Sequence, residues 1–264
     1  MKVLIKIGGT LLDSTETRAR LATEIAQAVR EGLQAVVVHG GGKQMTRYLA
    51  DRGIETRFVN GLRVTTPEVL DAVLKVFAGS VNQELVGALI ASGARAVGLS
   101  GMDALLTEAC RMSEELGFVG KPTQSNPQLL DLLIDNSYLP VIACVAGDRQ
   151  GRFYNVNADQ MAVSLACAIR AEKLLFLTDV EGVRGQDNVI YSTLGLETSR
   201  QLIDAEIATS GMRAKLEAAT DAIRAGFPEA VIAPGASPGI IGKLLVGKDI
   251  GTRLVAMVGT PSNA

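Results

Sequence analysis

Residues 3–12 read VLIKIGGTLL. Val3, Leu4, Ile5 and Ile7 make the apolar run of a strand buried on both faces, as a parallel sheet under two helix layers requires. Lys6 interrupts that run with an ammonium group, and Gly8 and Gly9 then remove two side chains. Glycines directly after a strand let backbone N–H groups approach an anion, and the next helix N-terminus favours negative charge. The stretch matches neither G-x-G-x-x-G nor G-x-x-x-x-G-K-[ST], so neither the dinucleotide nor the P-loop fingerprint applies. A tight strand-to-helix turn with a snorkelling lysine would read the same way locally.

The alternation that begins here continues along the chain. Strand patterns fall at 34–39, 94–99, 138–145, 173–178, 229–233 and 252–257, with a short one near 188–190. Helix patterns fall at 16–31, 43–53, 67–91, 127–136, 158–170, 197–207, 211–226 and near 238–246. The segment 103–126 breaks the rhythm: short strands in LLTEACRM and GFVG predict a hairpin insertion near a sheet edge. The whole reads as an α/β fold with a mostly parallel central sheet covered by helices on both faces. No linker rich in Pro, Gly or Ser divides it. The expectation is one domain, 1–264, whose halves (about 1–155 and 156–264) share one sheet.

Composition bounds the function. The chain has 264 residues, 47% hydrophobic and 20% charged, enough for a substantial core and too apolar for disorder. A net charge of −2, with both signs interspersed, argues against a nucleic-acid stripe or a polybasic membrane tail. Cys110, Cys144 and Cys167 are odd in number and lack a C-x-x-C spacing. They read as buried reduced thiols of a cytoplasmic protein rather than a disulfide framework or zinc site. Lys6 breaks the N-terminal apolar run, so no signal peptide is expected. No stretch of about 20 uninterrupted apolar residues predicts a membrane span. The expected partner is therefore a small molecule, not nucleic acid or membrane.

Five further stretches carry polar chemistry. VVVHGGGKQM (36–45) puts Gly40, Gly41 and Gly42 between a strand and a helix, where ligands of open α/β sheets lie. His39 is the single histidine, so no His-based triad or metal set can form; it reads as structural. NGLRVT (60–65) sets Arg63 after a turn; its planar fork suits a carboxylate, though a surface hairpin arginine reads equally well. In YNVNADQMA (154–162), Asn157 and Asp159 fit a helix start, but capping does not explain Asn155. LLFLTDVEGV (174–183) places Thr178, Asp179 and Gly182 after an apolar strand, where a nucleotide could bind. In TSGMRAKLEAATDAI (209–223), Lys215 flanks the stripe Met212, Leu216, Ala219 and Ile223, in what reads as the first helical turn. A cation there opposes the helix dipole, and an anionic ligand would give it a reason. Lys6, Lys215 and the glycine loops together point to a polyphosphate.

The order of KIGGTLL, VVVHGGGKQ, NGLRVTT, YLPVIACVAGDRQGRFYNVNADQMA and LTDVEGV resembles the amino acid kinase family over about residues 2–255. The resemblance implies a three-layer α/β/α sandwich, with acceptor on the N-terminal half and ATP on the C-terminal half. It implies transfer of phosphate from ATP, with Mg²⁺, to the side-chain carboxylate of N-acetyl-L-glutamate, in arginine synthesis. By the same resemblance, Lys6 and Lys215 would stabilise the transferring phosphoryl group, and Asp159 would orient both. Gly8, Gly9 and Gly42 would donate backbone hydrogen bonds to it. Gly41, Gly42, Arg63 and Asn155 would bind the acylated amino acid. Thr178, Asp179, Gly182, Ile207 and Thr209 would line the nucleotide, and Mg²⁺ would be carried by ATP rather than by protein ligands.

The chain departs from the family pattern at SGMDA (100–104), SGMRAK (210–215) and VIAPGASPG (231–239). Arginine-inhibited relatives carry an extra N-terminal helix and form hexamers; this chain starts on the strand, so a homodimer insensitive to arginine is expected, touching through helix 67–91. Two alternatives stay open: a sister kinase on another carboxylate, such as the aminoadipate of lysine synthesis, and a non-catalytic nucleotide or amino-acid sensor.

Overall fold

The computed structural model of the chain describes residues 1–256. β1 (Lys2–Ile7) leads into a short helix α1 (Gly9–Asp13), then α2 (Thr15–Arg30), β2 (Gln34–His39) and α3 (Gly42–Ala50). A two-strand ribbon, β3 (Phe58–Val59) and β4 (Leu62–Arg63), precedes a long helix. That helix joins α4 (Pro67–Val73), a π-helical segment (Leu74–Val81) and α5 (Asn82–Ala91). β5 (Ala96–Ser100), β6 (Thr107–Arg111), β7 (Val119–Ser125) and α6 (Gln128–Asp135) follow, then β8 (Leu139–Ala143), β9 (Val145–Gly147) and β10 (Phe153–Val156). The second half holds α7 (Ala158–Ala168), β11 (Lys173–Thr178), β12 (Thr193–Gly195), α8 (Leu196–Asp204) and α9 (Ser210–Arg224). β13 (Ala230–Pro234), α10 (Ile240–Leu245) and β14 (Thr252–Val255) complete it.

Eight strands form one sheet in the order β12-β14-β13-β11-β1-β2-β8-β5. β1 joins the halves: it pairs in parallel with β2 on one side and β11 on the other. Every pairing in this sheet is parallel except β13 with β14. Strand order reverses direction at β1, and right-handed crossovers then send helices to opposite faces. α2, α5 and α10 pack together on one face, and α6, α7 and α9 cover the other. The central strands are apolar because both faces are covered: Leu4, Ile5, Ile7, Val36, Val37, Val38 and Leu174–Leu177 are all fully buried. The three-layer α/β/α sandwich with a mostly parallel sheet is therefore as expected.

Several local expectations need correction. The 103–126 hairpin does not extend the main sheet; β6 and β7 close a small barrel with β9 and β10. The strand expected at 138–145 divides at Cys144: β8 stays in the main sheet and β9 enters the barrel. The strand expected near 188–190 is only an isolated bridge, Arg184 to Ile190, and the real strand is β12. α1 is an addition to the expected elements: its five residues are too few to show a helical period. Cys110 is exposed rather than buried; Cys144 is buried and Cys167 half-buried. The last residue of the expected strand 252–257 lies outside the described residues.

Helix Pro67–Ala91 is long and apolar enough, by length and composition, to cross a membrane. Its apolar side is spent on the protein: Val69, Val73, Val76, Leu85 and Leu89 are buried, while Glu68, Asp71, Lys75 and Glu84 face outward. It is a core helix with a polar face.

Ile5 sits on β1 with no exposed surface, at the junction of the halves. Ile5→Ala should lower stability by about 2–5 kcal/mol through lost burial and cavity formation. Urea unfolding followed by circular dichroism would measure it, and a loss below about 1 kcal/mol would contradict a packed junction there.

Candidate active site

β1, β2 and β11 run in parallel and end at the same edge of the sheet. Their following loops therefore meet outside the strands' carboxyl ends, where the strand order reverses. The two glycine loops touch backbone to backbone: a Cβ on Gly9 would lie 2.9 Å from the Gly42 nitrogen. A Cβ on Gly42 would meet nothing within 4 Å, so packing leaves that glycine open where it lines a cavity. Gly9 and Gly42 are the first residues of α1 and α3, and their N–H groups have no acceptor inside those helices. Gly8 differs from the expectation: its N–H donates to the Leu177 carbonyl at 2.9 Å, because β1 and β11 continue their pairing one residue further. It does not offer a free donor.

Above these loops stands an ion cluster. The Lys6 ammonium lies 2.7 Å from Asp159 Oδ1, and Lys215 Nζ lies 3.8 Å from Asp159 Oδ2. Lys6 and Asp159 are buried, at 5% and 4% exposure. α7 holds Asp159 in place: the Asn157 side chain caps the helix and accepts from the backbone N–H groups of Asp159 and Gln160. Burial by itself would raise the Asp159 carboxyl, but Lys6 and Lys215 outweigh it and hold it below the ordinary carboxylate value. For Lys215 burial wins: desolvation, with Lys6 adding repulsion, lowers its pKa against the pull of Asp159 and Asp179. The dipole argument for Lys215 weakens, since α9 begins at Ser210 and puts it in the second turn. Its burial is what calls for a counter-charge.

A cavity of about 230 Å³ runs from this cluster to the β3–β4 ribbon. Lys6 and Asp159 line the cluster side, Arg63, Phe58 and Asn155 line the ribbon side, and Gly42, whose carbonyl lies 3.4 Å from Arg63 Nη2, adjoins the ribbon side. Asn60 and Gly61 both have positive φ, so the ribbon turns as an Asn-Gly hairpin and aims Arg63 inward. The guanidinium lies over the Phe58 ring at 4.6 Å and donates to Thr46 Oγ1 at 2.8 Å. Arg63 Nη1 is buried without a partner, and burial lowers the group's pKa with no acid opposing it. A half-buried cation without a counter-ion is costly, and an anionic ligand at this end would relieve it. Asn155 donates to Thr65 Oγ1 at 3.0 Å, and Thr65 donates to the Arg63 carbonyl. Sequence reading passed over Thr65 and Phe77, and gave Asn157 only its capping role. All three touch this site, and the only signal for Thr65 was its place at the end of the NGLRVT stretch.

The expected nucleotide residues are less tightly gathered. Thr178 is buried and donates to Asp179 Oδ1 at 3.1 Å, beside the cluster. Ile207 is half-buried and Thr209 is exposed at the start of α9. Gly182 has a packing reason: a Cβ there would lie 2.8 Å from both Ile190 Cγ2 and Thr252 Oγ1. None of the five lines the 230 Å³ cavity.

Comparison with known proteins points to one family. The amino acid kinase family model matches residues 1–234. Acetylglutamate kinase of Solibacter usitatus is 60% identical over 97% of this chain and 99% of its own length. Acetylglutamate kinase of Koribacter versatilis is 39% identical over 98% of this chain and 100% of its own. N-acetylglutamate synthase from Neisseria gonorrhoeae, solved with coenzyme A and N-acetyl-glutamate, superimposes with a TM-score of 0.86 at 26% identity. That match covers 98% of this chain, which spans 60% of the synthase's length.

Asp159→Asn leaves two buried ammonium groups without their shared anion. The substitution should destabilise the protein by about 3–5 kcal/mol at neutral pH. The depressed carboxyl contributes stability above its unfolded value, and that contribution is lost as pH falls through the lower folded value. The gap between wild type and Asp159→Asn should therefore narrow below about pH 4 in denaturant titrations. A gap independent of pH would contradict the ion cluster.

Proposed function

The chain belongs to the amino acid kinase family, and we propose that it transfers the γ-phosphoryl group of ATP to the side-chain carboxylate of N-acetyl-L-glutamate, an early step toward arginine. It is a phosphotransferase with a carboxyl acceptor. The observation that carries the choice of acceptor is the single cavity with Lys6 and Asp159 at one end and Arg63 and Asn155 at the other. An acylated amino dicarboxylate fits such a cavity: one carboxylate meets the unpaired Arg63 nitrogen and the other faces the lysines. Arg63 as the carboxylate clamp and Asn155 as its neighbour are supported by that geometry and by the bidentate preference of guanidinium for carboxylate.

The acceptor carboxylate is already ionised at neutral pH, so the reaction needs no general base. Asp159, paired with two lysines, serves to hold them aimed. Catalysis then consists of alignment and neutralisation of charge on the moving phosphoryl group. Lys6, Lys215 and the N–H groups of Gly9 and Gly42 supply that neutralisation without reorganising. A catalytic role is favoured over a sensor by the convergence of both lysines on one carboxylate beside the cavity.

ATP is read on the second-half side, near Thr178, Asp179, Gly182, Ile207 and Thr209. Among the described residues no three His, Cys, Asp or Glu side chains gather to hold a metal ion. Mg²⁺ brought in with the nucleotide would supply further charge neutralisation on the phosphates. The protein is read as cytoplasmic and as a homodimer through helix Pro67–Ala91, on which Ile90 is 54% exposed and whose α5 part packs on the edge strand β5.

Acyl phosphate trapped with hydroxylamine should form with ATP, Mg²⁺ and N-acetylglutamate, and not with glutamate, aspartate or N-acetyl-aminoadipate. Turnover confined to N-acetyl-aminoadipate would assign the enzyme to the sister reaction. Light scattering after size exclusion should give the mass of two chains; a monomer or hexamer would overturn the dimer.

A further inference from the structure

We propose that His39 and Asn82 form a buried relay that positions the Gly40–Gly42 loop, with the imidazole locked as its neutral Nδ1–H tautomer. The inference rests on reading that loop as part of the phosphoryl cradle. It concerns two side chains that the chemistry above does not use.

His39 ends β2 with no exposed surface, and Asn82 is 1% exposed. His39 Nδ1 lies 3.0 Å from the Gly40 carbonyl oxygen. A carbonyl only accepts, so Nδ1 carries the proton. The Asn82 Nδ2 group lies 2.9 Å from His39 Nε2 and 2.9 Å from the Val141 carbonyl. Turning the amide over would set its oxygen against the Val141 carbonyl, acceptor to acceptor. The amide orientation is therefore determined, and Nε2 must accept. Burial acts in the same direction, pushing the imidazole down to about 4 and keeping it neutral at physiological pH.

The surroundings are cut to fit the relay. A Cβ on Gly98 of β5 would run into Asn82 Oδ1, so the glycine makes room for the amide. Asn82 follows directly on the π-helical segment Leu74–Val81. Such segments re-phase a helix and recur at functional sites. Here the segment presses Phe77 and Val81 onto the loop: a Cβ on Gly41 would lie 2.9 Å from Phe77 and 3.2 Å from Val81. Gly40 is thus held through its carbonyl and Gly41 through its bare Cα. What remains is Gly42, whose N–H begins α3 at the cavity. His39 and Asn82 are positioning residues, and they act by removing the loop's freedom to turn its N–H groups away.

The single histidine makes the test direct. In full-length protein labelled with ¹⁵N-histidine, both ring nitrogen signals belong to His39. The expected spectrum is a neutral Nδ1–H tautomer that does not titrate between about pH 6 and 8. An Nε2–H tautomer, or an imidazole that titrates like a free one, would overturn the relay. The spectrum is read on the wild-type protein, so it decides whether or not variants fold. Asn82→Ala should lower kcat on the order of ten- to a hundredfold, by loosening a loop that must be held to within an ångström. The KM for ATP should stay within about twofold, because the nucleotide lies on the other half. His39→Asn keeps a donor near Nδ1 and should recover part of the turnover lost in His39→Leu. A lower melting temperature with kcat unchanged would make the pair merely structural and sink the proposal. Absence of wild-type turnover with N-acetylglutamate would count against the function, while the tautomer would still test the relay.

Discussion

Two ammonium groups sharing one buried carboxylate, Lys6–Asp159–Lys215, set the terms for the rest of the molecule. Like charges removed from water repel and are poorly solvated, and a single carboxylate offsets both costs only if its position is fixed. The fold supplies that fixity from three directions. Lys6 is carried on the central strand, paired on both sides along its length. Asp159 is carried on the capped first turn of α7. Lys215 comes from α9, which packs against α7. An α/β sandwich whose strand order reverses at β1 brings these three elements to one edge; a sheet with another order would not.

The glycine loops follow from the same constraint. Once two cations are concentrated at the sheet edge, an anion can be bound there only if the backbone comes close. Gly9 and Gly42 allow that, and the helix starts behind them add unpaired N–H groups. Arg63 adds a second cationic group to the lining of the cavity that Lys6 shares. The chemistry that results needs neither histidine nor cysteine, and the single histidine is instead spent on holding a carbonyl.

Much of this could be read from residue order alone, and the failures are instructive. Lys6 in an apolar run and Lys215 beside an apolar stripe were conspicuous because a buried cation breaks the binary pattern. The central strands were readable for the same reason: sequences buried on both faces leave no polar alternation. Asn155 stood out because capping did not explain it. Gly8 and Gly182 also have packing reasons, a backbone partner at Leu177 for one and the Ile190 and Thr252 side chains for the other, and in sequence such a glycine looks the same as one demanded by a ligand. The small barrel was read as an edge hairpin, since the break at Cys144 that diverts β9 into it carries no turn residue. The relay beneath the loop was invisible, because His39 and Asn82 are 43 residues apart and meet only when α5 docks on the sheet.

The most direct measurement is the turnover of Lys215→Ala beside wild type, with ATP affinity determined calorimetrically on the same variant. Asp159 keeps Lys6 as its partner in that variant, so the fold should survive. If the paired lysines act on the transferring phosphoryl group, kcat falls on the order of 10²–10³-fold while ATP affinity changes far less. A kcat within a few-fold of wild type would mean that the ion cluster serves only the fold, and that phosphoryl transfer is driven from elsewhere.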